Sequence, residues 1–305
     1  MSAIPDIIPA LLQKWPLPRP AGDSDKNSRG RVLAVAGGAG SPGAAILTGV
    51  AALRAGAGKL QIAAPASVAA PLAIAMPEAR VLAMAETAAG DIAATAADEI
   101  AELAIRCDAV VAGPGQMDEA AAGAIALRLL EVEGPAILLD AAAMTGLAGD
   151  AARVRRAPNR LVVTPHAGEM AALLGVGIDA VQADRLAAGR RAAAALQAVV
   201  VMKGAQTFVV SPDGAAWRHE FGVPGLGVCG SGDVLAGLIA GLLARGAAPV
   251  QAAAWAVWAH AQAGLRLSRR IAPLGFLARE ILDEVAAVLG GLEAQSAPGS
   301  RAAAV

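Results

Sequence analysis

Gly230, Ser231, Gly232 and Asp233 set three small residues beside one carboxylate, and an apolar segment follows at once. In that segment Val234, Leu235, Leu238, Ile239, Leu242 and Leu243 recur at helical spacing, which predicts a buried amphipathic helix starting near Asp233. Gly230, Ser231 and Gly232 would then present backbone N–H groups at the positive end of the helix, an arrangement that suits a phosphoryl group. A carboxylate at the mouth of an anion pocket is electrostatically unfavourable, so Asp233 reads as a base working beside a transferring phosphate. The bland reading of the same residues is an ordinary N-cap, where Ser and Asp are favoured for local hydrogen bonding.

The elements that must position this group alternate along the chain. Short apolar runs at 32–36, 60–63, 109–112, 136–140, 161–164, 199–203 and 207–210 read as strands covered on both faces. Ala/Leu-rich stretches such as 44–55, 92–106, 119–131 and 180–196 read as helices between them. The alternation predicts an α/β fold, a mostly parallel, doubly wound sheet with helices on both faces and no composition break to divide it. Residues 1–29 read as an N-terminal arm and polar loop, 30–290 as one domain, and 291–305 as a flexible tail. Polar residues gather directly after the strands: Gly37-Gly38, Gly113-Pro114-Gly115, Asp140, Thr164-Pro165-His166 and Lys203-Gly204. Each alone is a turn, but open α/β sheets bind ligands outside the carboxyl ends of their strands, and five such features in register describe a pocket.

Composition excludes several classes. Hydrophobic residues make up 56% and aromatics 2%, so Ala, Val and Leu must fill the core, and the formal net charge of −1 offers no polyanion-binding face. The densest basic cluster, Arg153, Arg155, Arg156 and Arg160, has no aromatic companions and reads as a solvated loop, so nucleic acid is not an expected partner. Two cysteines, Cys107 and Cys229, make neither a disulfide framework nor a metal motif, which fits a reduced, cytoplasmic setting. No signal peptide opens the chain and no apolar run reaches membrane-spanning length.

Gly38-Ala39-Gly40-Ser41-Pro42-Gly43 spells G-x-G-x-x-G between a strand and a helix, which invites a dinucleotide-binding reading. The acidic residue expected some 20 positions further on is absent, since no Asp or Glu lies between Gly43 and Glu78. No Walker-type phosphate loop is present either. The ordered set is instead Lys26, GRVLAVAGGAGSPGAAILTGVAALRAGAG (30–58), AGPG (112–115), VVTPHAGEMAALLG (162–175), VVMKGAQTFVVSPDG (200–214), PGLGVCGSGDVLAGLIAGLLARG (224–246) and GFLAREI (275–281). From about residue 20 to 290 it resembles the ADP-dependent NAD(P)H-hydrate dehydratase family, a branch of the ribokinase-like fold.

That resemblance implies repair of a hydrated cofactor: the C6 hydroxyl of (6S)-NAD(P)H hydrate is phosphorylated with ADP or ATP and Mg2+, and phosphate is eliminated. It makes Asp233 the catalytic base and a substrate contact, with Gly230, Ser231 and Gly232 holding the phosphoryl group. Lys203, Gly204, Ala205, Gln206 and Thr207 would bind the nucleotide, although Gly204 would also make a tight hairpin turn. Ala44, Gly113, Gly115 and His166 would contact the hydrated dinucleotide. No metal ligand is assigned: Glu169 either orients a magnesium-bound water or simply begins the next helix. His260 reads as a packed histidine and Cys229 as a small filler. The resemblance further implies a homo-oligomer served by a separate epimerase, with no room for an N-terminal epimerase domain here.

The chain departs from the family pattern in places. Asp140-Ala141-Ala142-Ala143-Met144-Thr145 stands where the family usually has D-A-D-x-L-N, so the second acid and the amide are missing at Ala142 and Thr145. His219 and Phe221 replace the Asn and Thr of N-x-T-G, Gln116-Met117 replaces Leu-Gly, and Leu265 replaces the Asp of H-x-x-A-G-D. The altered 140–145 segment favours an alternative on the same fold, an alcohol kinase of the hydroxyethylthiazole-kinase kind that releases its phosphorylated product. A second alternative is a nucleotide-binding homologue without turnover.

Overall fold

The apolar runs become strands whose two faces are both covered, because each is too short and too uniformly hydrophobic to leave one face in water. In the computed structural model, residues 4–19, 25–149, 154, 160–220 and 222–295 are described. Arg153, Arg155 and Arg156 of the basic cluster, the departure at Phe221 and the tail from 296 lie outside them. The strands are β1 (Arg31–Val35), β2 (Lys59–Pro65), β3 (Ala79–Met84), β4 (Ala109–Ala112), β5 (Ala136–Leu139), β6 (Leu161–Val163), β7 (Val199–Met202), β8 (Thr207–Val210) and β9 (Ala216–His219). They form one sheet in the order β3-β2-β1-β4-β5-β6-β7-β8-β9, parallel from β3 to β7 and antiparallel through β8 and β9.

Alternate strand residues feed two cores. Val32 and Ala34 face one layer, made by the helices Pro42–Arg54, Ser231–Ala244, Pro249–Arg270 and Ala278–Gln295. Leu33 and Val35 face the other, made by Ala97–Ala104, Glu119–Leu130 and Arg185–Leu196. The N-terminal arm closes the first core: Ile7, Leu12 and Leu17 are buried, and Ile7 N donates to Arg218 O beside β9. No helix among the described residues is long and apolar enough to cross a membrane.

Three expectations are corrected. The helix expected over 92–106 is a 3-10 turn, Ala94–Ala96, leading into Ala97–Ala104. The helix expected over 180–196 breaks at Asp184, whose carboxylate accepts from Ala187 N at 2.9 Å and starts a second helix. The helix expected near Asp233 begins two residues earlier, at Ser231. Strands β3 and β9 are added at the sheet's edges.

Register brings the strand ends level. Val35 pairs with Ala112, Ala112 with Leu139, Leu139 with Val163, and Val163 with Val200. The loops bearing Gly37, Gly113, Asp140 and Thr164 therefore emerge along one edge. The Ser231–Ala244 helix is carried to that edge by close packing on Pro42–Arg54: Gly237 sits against the Thr48 carbonyl and Ala51, and Gly241 one turn on against Ala52 and Ala55. A methyl at 237 would overlap the Thr48 carbonyl oxygen, which belongs to a helix backbone and cannot rotate aside. Gly237→Ala is therefore expected to cost about 1–3 kcal/mol despite the better helix propensity of Ala. Gly290→Ala, in the Ala278–Gln295 helix with nothing within 4 Å, is the control and should stabilise by about 0.5–1 kcal/mol. Urea midpoints of the two variants moving in opposite directions check both.

Candidate active site

A cleft of about 640 Å³ opens beyond the ends of β6, β7 and β8. Of the residues singled out from sequence, His166, Lys203, Gly204, Ala205, Thr207, Ser231 and Gly232 line it. Val223, Leu226, Leu235 and Val257 make its apolar walls, the surroundings a planar heterocycle requires. Gln206 turns away from the cleft, its amide donating to Glu220 at 2.6 Å.

The floor is the start of the Ser231–Ala244 helix. Gly230 is its N-cap with φ +89°, a left-handed conformation open to glycine, and a Cβ there would come within 2.5 Å of Leu47. No side chain caps this end, so Ser231 and Asp233 are not spent on the local bonds of an ordinary N-cap. The leading amides of a helix lack intrahelical partners; here Ser231 N donates to the Val228 carbonyl at 3.1 Å, which leaves the Gly232 amide at the dipole's positive end beside the cleft.

Four charged groups converge beside that end. Lys203 Nζ lies 2.8 Å from Asp140 Oδ1 and 3.6 Å from Glu169 Oε2. Asp140, only 3% exposed, also accepts from the Thr164 hydroxyl at 2.6 Å. Gly232 brings the helix start to Lys203, its Cβ position 3.8 Å from the ammonium nitrogen. Burial works against the Lys203 charge, but Asp140 and Glu169 outweigh it and hold the ammonium above the ordinary lysine pKa. Asp233 moves the other way: burial first, then the negative charge of Asp140, push its carboxyl up to about 6, while Lys203 pulls it down. A carboxylate poised near neutrality is a competent proton acceptor.

His166 serves the backbone as well as the cleft. Its Nδ1 accepts from Gly168 N at 3.0 Å and Glu169 N at 3.2 Å, while Glu169 Oε2 accepts from His166 N at 2.7 Å. This is a reciprocal capping box. Both partners of Nδ1 are donors, so the ring proton resides on Nε2. Glu169 thus begins its helix, one of the two readings of that residue, and also reaches Lys203.

The remaining substrate candidates occupy a second position, at the switch point between β1 and β4 where strand order reverses. Gly113 N donates to Val35 O, Gly37 N donates to Pro114 O, and Ser41 Oγ donates to Gly115 O. Ala44 packs against Gly115, whose added Cβ would lie 2.5 Å from that of Ala44. The G-x-G-x-x-G segment therefore knits two strand ends together. Asp91 reinforces the loop by accepting from Met117 N and Asp118 N. Ala44, Gly113 and Gly115 lie outside the lining of the 640 Å³ cleft, and so does Asp233, which stands where Asp140 and Lys203 still reach it electrostatically.

Two contributors escape a linear reading. Asp140 was legible as a polar strand end, but its hold on Lys203 spans 63 positions of sequence. His260 is packed as expected, yet it also lines the cleft and contacts Ser231. Cys107 is buried, which pushes its thiol up to about 11 and makes it inert, and Cys229 is exposed. No group of three or more His, Cys, Asp or Glu side chains among the described residues could enclose a metal ion.

With this geometry in place, similarities to known proteins become informative. A family model described as NAD(P)H-hydrate dehydratase matches residues 32–287. The ADP-dependent (S)-NAD(P)H-hydrate dehydratase of Xanthomonas campestris pv. campestris is 48% identical over 284 residues, 93% of this chain and 95% of that protein. A bifunctional NAD(P)H-hydrate repair enzyme of Moorella thermoacetica is 39% identical over 91% of this chain, which spans 52% of that longer protein. In structure, the ADP/ATP-dependent NAD(P)H-hydrate dehydratase of Bacillus subtilis, co-crystallized with ATP/Mg2+, superimposes with a TM-score of 0.79 at 27% identity, covering 96% of this chain and 100% of that one.

Proposed function

The chain belongs to the NAD(P)H-hydrate dehydratase family, and on that premise we propose that its cleft joins a nucleotide to a hydrated dinucleotide, with Asp233 as the base between them. The reaction is the ADP-dependent dehydration of (S)-NAD(P)H hydrate. The observation that carries the proposal for Asp233 is its place: a carboxylate raised to about 6, at the uncapped start of a helix where the amide of the preceding Gly232 can hold a phosphoryl oxygen.

ADP enters the cleft with its heterocycle against Val223, Leu226 and Val257, and its phosphates reach Lys203 and the amide of Gly232, the Ser231 amide being engaged by the Val228 carbonyl. The hydrate lies at the switch point, where Ala44, Gly113 and Gly115 let a ring approach the backbone, and its far side meets His166. Asp233 takes the proton of the C6 hydroxyl as that oxygen attacks the terminal phosphorus, and the bond to the departing nucleotide breaks. Phosphate is a far better leaving group than hydroxide. The ring nitrogen's electron pair expels it, and loss of a C5 proton restores the C5–C6 double bond.

Magnesium fits the donor set, because that ion is commonly held by one or two carboxylates together with substrate phosphates and does not need a closed protein cage. Asp140 and Glu169 are the carboxylates that would share it. Bound there, it would neutralise charge on the phosphoryl oxygens. An epimerase acting on the same hydrate would feed the S form to this site, and the Moorella relative is indeed bifunctional.

The test follows the near-ultraviolet absorbance of reduced nicotinamide when hydrated NADH meets the protein with magnesium and ADP, with magnesium and ATP, or with no nucleotide. Recovery with ADP is expected. Absence of recovery with either nucleotide would end the dehydratase reading, and a phosphorylated product that accumulates would make the enzyme a kinase.

A further inference from the structure

His260 is buried on the Pro249–Arg270 helix, in the wall of the cleft, with its Nε2 placed 3.1 Å from the Ser231 hydroxyl and 3.1 Å from the Ser231 carbonyl oxygen. A carbonyl oxygen can only accept. The proton of the ring must therefore be on Nε2, and it is shared between the two oxygens of Ser231. With Nε2–H as donor, Ser231 Oγ is an acceptor toward His260, and its own proton is directed elsewhere. The Ser231 hydroxyl makes no other hydrogen bond among the described residues, and Ser231 lines the cleft at the first helical position.

We propose that His260 is a positioning residue that fixes the Ser231 hydroxyl as a hydrogen-bond donor to the terminal phosphoryl group of the bound nucleotide. The inference rests on reading the cleft as the nucleotide site. A serine at the start of a helix otherwise rotates among local backbone acceptors, and a hydroxyl aimed at a backbone carbonyl has no proton to give a phosphate. His260 restricts that rotation, because its Nε2–H holds one lone pair of the Ser231 hydroxyl and turns the hydroxyl proton away from the ring. Burial pushes the imidazole down to about 4, so it stays neutral through the working range and brings no second cation to compete with Lys203 for the phosphates.

The experiment is a double-mutant cycle on the full chain, reading kcat for NADH hydrate and the Kd of ADP by calorimetry with magnesium present. His260→Leu and Ser231→Ala are each expected to lower kcat and weaken ADP by roughly 3- to 30-fold. In the Ser231→Ala background His260→Leu should add less than about twofold, because its target hydroxyl is gone. His260→Gln, whose amide nitrogen sits near the imidazole Nε2, should keep most of the wild-type value, while His260→Asn, which is too short to reach, should match His260→Leu. If His260→Leu fails to fold, the Gln and Asn pair decides alone. Equal losses with and without the serine hydroxyl, or Gln as poor as Asn, would make His260 a packing residue and overturn the proposal. The ADP titrations decide it independently of turnover, so a wild-type protein that recovers no NADH would sink the dehydratase reading and leave this cycle readable.

Discussion

Asp233→Asn is expected to lower kcat by roughly two to four orders of magnitude and, at the same time, to make the resting protein more stable at neutral pH. Both effects have one origin. The Asp233 carboxyl is raised from 3.8 to about 6 by burial and by Asp140, so the folded protein holds its proton more tightly than the unfolded chain does. Stability from this preference is fully present below the ordinary carboxylate pKa and is lost as pH rises through about 6. Above that the ionised group works against the fold. At 1.36 kcal/mol per unit, reduced for the part of the residue that water still reaches, the cost is about 1–3 kcal/mol. The amide carries no charge, so the variant should unfold later than wild type at about pH 8 and show no advantage at about pH 4. The wild-type kcat/KM should fall on the acid side with a midpoint near 6. A variant equally stable at both pH values would mean that Asp233 is not held against its own charge.

The parts of the molecule visible in the sequence are those whose physics is local. β4 (Ala109–Ala112) and β8 (Thr207–Val210) match their expected bounds because uninterrupted apolar runs of that length have nowhere to go but the middle of a sheet. β3 and β9 escaped because edge strands need not hide both faces: Arg80 lies within β3, and β9 reads Ala-Trp-Arg-His. The Gly230–Asp233 turn alone fits an ordinary N-cap as well as an anion site, and it is the ordered set of motifs around it that makes the second reading legible. The G-x-G-x-x-G segment misleads when it is taken alone. Of its glycines only Gly38 is closely packed, where a Cβ would overlap Asp91 Oδ1 and fall 3.1 Å from Gly115 O, while Gly40 and Gly43 have nothing within 4 Å. The segment ties to the loop after β4 through Ser41 Oγ and Gly115 O. Gln116 marks a further limit: it replaces an apolar residue of the family pattern, and both of its buried amide atoms lack a partner among the described residues. Nothing in its neighbours along the chain foretells that.

What no linear pattern discloses is convergence. Asp140 follows β5, Lys203 follows β7, and Asp233 sits in the first turn of a helix on one face of the sheet, yet Asp140 and Lys203 together set the ionisation of Asp233. The level strand ends bring Asp140 and Lys203 together, and the glycine contacts of the Ser231–Ala244 helix bring Asp233 to them. Each residue has an ordinary explanation in its own segment, and the shared field exists only in the folded chain.

Lys203→Met tests that field most severely. The ammonium lies 2.8 Å from Asp140, with the two side chains 20% and 4% exposed. Removing the cation leaves the Asp140 carboxylate buried with the Thr164 hydroxyl still bound to it but with no counter-charge in contact. The expected loss of stability is about 3–5 kcal/mol, far more than a surface pair would cost. Pairing Lys203→Met with Asp140→Asn should recover most of that stability, because the lone buried charge goes too, while kcat/KM with ADP stays lower by about a hundredfold for want of the phosphate's cation. The acid limb of the pH–rate profile gives the sharper result. Lys203 lowers the Asp233 pKa and Asp140 raises it, so Lys203→Met should move the limb to higher pH and Asp140→Asn should move it to lower pH. Opposite displacements from two neutralising changes at neighbouring residues are not produced by general loosening of the site, which shifts both the same way. If the two limbs move together, the group titrating near 6 is not Asp233, and the base must be sought elsewhere along this edge of the sheet.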